Sequence, residues 1–167
     1  MSDPEAHLYV PPDYFRRLEA QEIFADAARK PLEVDLGCGD GGFLLAMVER
    51  FPERNFLGVE RLLGRVRKIC RKAARAGLGN LKVLRLESAY TVEWLLPADC
   101  AARVHLLFPD PWPKKKHHRR RVVNEEFLGG LAGVLTREGD FCFKTDHADC
   151  FARALEEIEA SGLFRQV

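Results

Sequence analysis

Leu32-Glu-Val-Asp-Leu-Gly-Cys-Gly-Asp-Gly-Gly42 is the stretch whose reading decides the fold. Its first five residues predict a short buried strand. Gly37-Cys-Gly-Asp-Gly-Gly42 then fits GxGxxG at the point where a helical pattern begins. Glycines at such a turn let the chain reverse tightly and let a ligand approach the backbone. Alone the motif is unspecific, because NAD, FAD and S-adenosylmethionine sites all use it.

Outward from this unit the theme repeats. Apolar runs at 56–59, 81–86, 104–108 and 140–144 are followed by helical patterns at 62–76, 91–96, 124–135 and 148–160, as 42–50 follows the first run. Strands alternating with helices predict an α/β fold built on a doubly wound, mostly parallel sheet. Ahead of it, Phe15, Leu18, Ile23, Phe24 and Ala27 recur at helical spacing after Asp13, which predicts a leading helix over 13–30. No repeat, linker or low-complexity stretch interrupts the pattern, and 167 residues suit one domain, 1–167, with a core that needs neither metal nor disulfide.

Composition narrows the classes. Hydrophobic residues at 47% and charged ones at 31% are ordinary globular usage, which argues against a disordered or membrane protein. Five widely spaced cysteines without a CxxC pair signal neither a disulfide framework nor a zinc site, so a reducing cytoplasm and no metal are expected. The first residues lack a signal-peptide pattern and no apolar run reaches the roughly 20 residues that span a bilayer. No membrane association and a monomer are the expectations.

In doubly wound sheets ligands bind beyond the carboxyl ends of the strands, where strand order reverses. The chemistry-bearing residues fall there: Asp35 with Gly37, Gly39 and Gly41 after the first strand, Glu60 after the second, Glu87 after the third, Asp110 after the fourth, Thr145 and Asp146 after the fifth. Glu60 stands where an acid accepts hydrogen bonds from ribose hydroxyls, and Glu87 where an adenine amino group could be read. Asp35 discriminates among nucleotides. A carboxylate before the glycine turn repels a pyrophosphate but suits an ammonium or sulfonium, which favours S-adenosylmethionine over NAD. Any one of these acids is as often a turn or cap residue.

Phe108-Pro-Asp-Pro-Trp-Pro-Lys-Lys-Lys-His-His-Arg-Arg-Arg121 supplies the rest. Prolines on both sides fix the backbone of Asp110, and eight consecutive Lys, His and Arg residues follow. Basic runs are usually solvated faces, yet this one is anchored between a strand and an amphipathic helix. Net charge is only +1, but local field is what a phosphate feels, so Lys114, Lys115, Lys116, Arg119, Arg120 and Arg121 are candidate nucleic-acid contacts. Trp112 could stack on an extruded base or pack as a lid on its own loop.

These residues resemble the bacterial tRNA (guanine-N7-)-methyltransferases. The resemblance rests on Asp35-Leu-Gly-Cys-Gly39, Phe56-Leu-Gly-Val-Glu60, Asn80-Leu-Lys-Val, the long block from Phe108 to Arg121 and Lys144-Thr-Asp146, of which the Phe108 block is the specific element. It implies a Rossmann-like class I fold and methyl transfer from S-adenosylmethionine to N7 of a guanosine in the variable loop of tRNA. Asp35, Gly37, Gly39, Glu60, Glu87 and Asp110 would be cofactor contacts, and Asp110 also the catalytic residue. Lys114 and Asp146 would contact tRNA, with Trp112, Lys115, Arg119 and Arg120 beside them. Two departures stand out. The family usually has Asp-Ala where this chain reads Glu87-Ser88, and it continues through further strands to a Thr-x-Tyr-Glu or Thr-x-Phe-Glu segment, whereas this chain stops at Val167, so a sheet truncated at its last strands is expected. Two other readings compete: an exocyclic-amine methyltransferase, since Asp110-Pro-Trp112 is similar to a DPPY-type motif, and a non-catalytic RNA-binding protein on a nucleotide-binding fold.

Overall fold

The computed structural model describes residues 3–167, with the side chains of Lys115, His118 and Arg119 outside that description. Six strands among these residues form one sheet: β1 (Leu8–Tyr9), β2 (Leu32–Leu36), β3 (Asn55–Val59), β4 (Leu81–Leu84), β5 (Ala101–Leu107) and β6 (Leu135–Lys144). Their spatial order is β1-β4-β3-β2-β5-β6, and every neighbouring pair is parallel. After β2 the chain builds outward through β3 and β4, then returns to lay β5 against the other side of β2. Strand order therefore reverses between β2 and β5, where a crevice opens.

Period-2 alternation sends the two faces of β2 to different partners. Leu32, Val34 and Leu36 join the larger apolar cluster with Phe127, Leu128 and Leu131 of helix α5 (Glu125–Val134) and Ala154 of α6 (Ala148–Ser161). On the opposite face α2 (Gly42–Arg50) and α3 (Leu63–Ala76) bury Leu44, Val48, Val66, Ile69 and Ala73 against Phe56, Leu81 and Val83. Each large side chain so buried stabilises by about 1.5–3 kcal/mol, and truncating Leu131 to alanine would cost about 2–5 kcal/mol through the cavity left behind.

Local chemistry sets the ends of these helices. Gly77 closes α3 in the left-handed conformation (φ 67°), with its amide on the Ala73 and Ala74 carbonyls. Asn124 caps α5 by accepting from the Phe127 amide at 2.9 Å. Sequence boundaries hold to within a few residues, although β4 stops at Leu84 and the expected 91–96 helix is a short α4 (Ser88–Tyr90) that widens into a π-turn over Thr91–Leu95.

Three elements depart from expectation. The leading helix over 13–30 does not form; helix there is confined to α1 (Ala20–Ile23). The backbone is drawn instead to the 93–96 segment, with the Leu18 amide on the Leu95 carbonyl at 2.9 Å and the Arg17 guanidinium on the Glu93 and Leu96 carbonyls at 2.7 and 2.6 Å. Asp13 closes a local turn by accepting from the Phe15 amide, and Phe15, one of the residues that made the helical period, is 93% exposed. β1 was not foreseen, because two residues carry no readable alternation. Finally, β6 begins directly after α5 rather than at 140. Leu135 pairs with Ala101, and the register resumes at Arg103 with Asp140. Gly139 permits the excursion, since a Cβ there would lie 2.8 Å from the Ala101 carbonyl oxygen.

Candidate active site

The glycine turn is built by conformation and contact together. Gly37, Gly39 and Gly41 all have positive φ (69°, 57° and 75°), and a Cβ on Gly41 would sit 2.6 Å from the Ile69 side chain of α3. No other residue type meets both demands at Gly41 without displacing α3. The Gly39 amide donates to Glu60 Oε2 at 3.0 Å, and Glu60 Oε1 accepts from the Leu62 amide at 2.8 Å. Glu60 thus bridges the turn after β2 to the start of α3. Oε2 also lies 3.7 Å from the Arg65 guanidinium, while Oε1 keeps a further lone pair for an incoming hydroxyl.

Beyond these strand tips lies a cleft of about 480 Å³. Leu36, Gly37, Glu60 and Glu87 line one side, and Phe108, Asp110 and Trp112 the other. Glu87 caps α4 through Oε2, which accepts from the Tyr90 amide at 2.8 Å, while no described residue bonds its other oxygen. Asp110 is exposed and its carboxylate likewise has no hydrogen-bond partner among the described residues. Its loop is strained: Phe108 (φ 53°) and Trp112 (φ 43°) are left-handed non-glycine residues on either side of it, each costing about 1–3 kcal/mol. Such conformations persist only where the surroundings impose them. The Phe108 amide is held on the Lys144 carbonyl at 2.7 Å, and the Lys144 ammonium lies 5.6 Å from the Phe108 ring centre.

Asp35 sits one layer below the cleft rather than in its lining. It is 4% exposed, and no described residue hydrogen-bonds its carboxylate. Burial pushes its carboxyl up to about 7, against a partly opposing pull from His105, its register partner on β5. Burial, then the nearby Asp35 and Glu60 carboxylates, also raises the Cys38 thiol, which argues against a nucleophilic thiolate in the turn.

The cations of the loop divide. Lys114, Lys116 and Arg120 are exposed. Arg120 lies over the Trp112 ring at 4.9 Å, and His117 meets the same ring edge-on at 5.7 Å. Trp112 is therefore half-buried within its own loop while still facing the cleft. Arg121 is placed differently from these cations. It is 8% exposed, with Nε donating to the Pro111 carbonyl at 2.9 Å and Nη2 to the Asp149 carboxylate. Asp146 and Lys114 are exposed outside the cleft lining, and the expectations for Lys115 and Arg119 fall on side chains outside the described residues. The five cysteines are free, and among the described residues no three His, Cys, Asp or Glu side chains group as metal ligands.

One cluster escaped the sequence reading. Glu33, 1% exposed, is bonded to His105 Nε2 at 2.8 Å and paired with Arg54. Burial acts to raise its carboxyl, but the bonds from His105 and Arg54 prevail and hold it below the ordinary value. The His105 ring also meets Phe43, in the first turn of α2, at 5.0 Å. Charged residues at alternate positions of an otherwise apolar strand, Glu33 and Asp35, were the available signal.

The sheet order and the acid-lined cleft at its switch point define a Rossmann-like protein of the class I methyltransferase type. A solved 16S rRNA methyltransferase, KamB, shares this fold at TM-score 0.65 and 20% identity, over 88% of this chain and 76% of that one. An antibiotic-related methyltransferase does so at TM-score 0.64 and 18% identity, over 87% and 75%. The chain belongs to the putative methyltransferase family, whose model matches residues 29–167. Among curated relatives, the tRNA (guanine-N(7)-)-methyltransferase of Syntrophotalea carbinolica is 39% identical over 81% of this chain and 61% of its own length. That of Halorhodospira halophila is 38% identical over 88% and 63%, and that of Rubrobacter xylanophilus 35% identical over 95% and 70%. The chain thus spans about 61–70% of the length of these relatives. No helix among the described residues is long and apolar enough to cross a membrane.

Proposed function

We propose that this chain acts as one methyltransferase domain that transfers a methyl group from S-adenosylmethionine to N7 of a guanosine in the variable loop of tRNA, in the cytoplasm. The observation that carries the reading is the cleft itself: Glu60 and Glu87 offer acceptor positions on one wall, and on the other the Asp110 carboxylate has no hydrogen-bond partner among the described residues. Relatives named for this activity support the choice of substrate.

The donor set fits the nucleoside end of S-adenosylmethionine. Glu60 accepts from the ribose diol, and Glu87 reaches the adenine amino group. The buried charge of Asp35, once ionised, attracts the cationic end through a medium that screens weakly. When bound, S-adenosylmethionine supplies an electrophilic methyl group on sulfur.

Guanine N7 carries an in-plane lone pair and no hydrogen, so no proton has to be removed before attack and no general base is required. The protein's work is alignment and exclusion of water. Asp110 accepts from the guanine N1 and N2 edge, which orients N7 and favours the positive charge that grows on the purine. Trp112 lies beside it as a stacking surface, and Lys114, Arg120 and Asp146 contact the tRNA, a role that extends to Lys115 and Arg119 on the sequence alone.

Calorimetric titration of the chain with S-adenosylmethionine, and separately with NAD, tests the cofactor choice. Saturable binding of the first but not the second is expected. Binding of NAD alone, or of neither, contradicts the proposal.

A further inference from the structure

Three arginines end the cationic run, and the sequence cannot tell them apart. The structure separates one. Arg121 is buried, and its Nη1 donor, also buried, has no partner among the described residues. An RNA phosphate cannot reach an atom without accessible surface. Its two made bonds lie at informative places. Nε holds the carbonyl of Pro111, the residue next to Asp110, so ten positions of chain from Pro111 to Arg121 are closed into a loop. Nη2 reaches Asp149, in the first turn of α6 and three residues past Asp146. One guanidinium therefore joins the end of the basic segment, the backbone beside Asp110 and the helix that follows the Asp146 segment. It does so where Phe108 and Trp112 bracket Asp110 in left-handed backbone, a shape that needs external support.

We infer that Arg121 is a positioning residue, a latch that fixes the Asp110 loop against α6, and not one of the phosphate contacts. The inference rests on the proposed methyl transfer for its catalytic consequence, but the latch itself is a statement about the loop. Lysine cannot replace the group, because the paired bonds need the planar fork of a guanidinium. Asp149 is the partner whose loss weakens the latch at the surface while leaving the buried side chain and the core in place.

The test compares the wild-type chain with Arg121→Gln and Asp149→Asn. Amide exchange across residues 110–120 is measured on each protein alone. The salt dependence of tRNA affinity and the kcat for methyl transfer are then measured at saturating S-adenosylmethionine. The latch predicts exchange at least about tenfold faster in Arg121→Gln, with a smaller rise in Asp149→Asn and no change in the glycine turn. It also predicts a salt slope equal to that of the wild type and a kcat lower by about tenfold or more. A slope shallower by about 0.7–0.9 in Arg121→Gln, the signature of one lost phosphate contact, overturns the inference. So does exchange unchanged in both variants, or faster exchange with kcat intact. If Arg121→Gln does not fold, Asp149→Asn decides by the same readings. Absence of methyl transfer by the wild-type chain refutes the proposed function instead, and exchange alone then decides the latch.

Discussion

Glu60, at the tip of β3, accepts a hydrogen bond from the Gly39 amide at 3.0 Å, so the acid ending one strand holds the glycine turn that ends its neighbour. The same carboxylate accepts from the Leu62 amide. One side chain therefore shapes the cleft and also faces it.

This double use predicts the behaviour of Glu60→Gln. The amide can satisfy one of the two backbone donors, but its NH2 then faces the other, donor against donor. We expect a loss of about 1–3 kcal/mol of stability, together with weaker S-adenosylmethionine binding. Thermal unfolding and calorimetry measure the two effects. Unchanged values in both would mean that Glu60 is neither brace nor ligand.

Asp35 predicts a pH dependence with a definite sign. Its folded carboxyl titrates near 7, above the ordinary carboxylate value, so its contribution to stability is fully present below about pH 4 and is lost as pH rises through 7. Asp35→Asn removes that slope. At pH 8, without ligand, the variant should be more stable than the wild type by on the order of 2–4 kcal/mol, with little difference at pH 4. It should also lose the rise in S-adenosylmethionine affinity that ionisation of Asp35 gives the wild type between pH 6 and 8. Urea unfolding at the two pH values checks the first claim. A variant less stable than wild type at pH 8 would show that the buried carboxylate has a stabilising partner.

Asp110→Ala should separate chemistry from cofactor binding. The carboxylate is exposed; on the proposed role of holding the guanine, affinity for S-adenosylmethionine should hold, while the single-turnover methylation rate falls about 100-fold from loss of alignment. A rate equal to wild type removes Asp110 from the mechanism.

Salt titration examines the basic loop. Lys114, Lys116 and Arg120 are exposed, and replacing any one of them by glutamine should make the dependence of log affinity on log salt shallower by about 0.7–0.9. tRNA binding indifferent to salt would show that the loop is a solvated face.

Much of this was legible in the chain because the signals were periodic or local. Alternating runs announced the sheet, and the acids fell at strand tips, where topology brings them together whatever the details of packing. What escaped was decided by partners distant in sequence. The helical spacing around Phe15 and Leu18 lost to backbone bonds with Leu95 and Leu96. Glu33 and His105, 72 positions apart, meet only because β2 and β5 are neighbours. Arg121 looked like its neighbours Arg119 and Arg120 because charge is visible in sequence and burial is not. The spacing marks Asp35 as a candidate cofactor contact but cannot show its depth: it is 4% exposed and outside the cleft lining.

The central claim is that the acids at the strand tips hold S-adenosylmethionine while Asp110 presents a tRNA guanine to it. The most direct measurement is incubation of the chain with unmodified tRNA and S-adenosylmethionine labelled in the methyl group, followed by digestion and identification of the labelled nucleoside. Label in 7-methylguanosine, abolished in Glu60→Ala and reduced in Asp110→Ala, is the predicted result. Label on an exocyclic amine, or none from a chain that binds tRNA, would contradict the account.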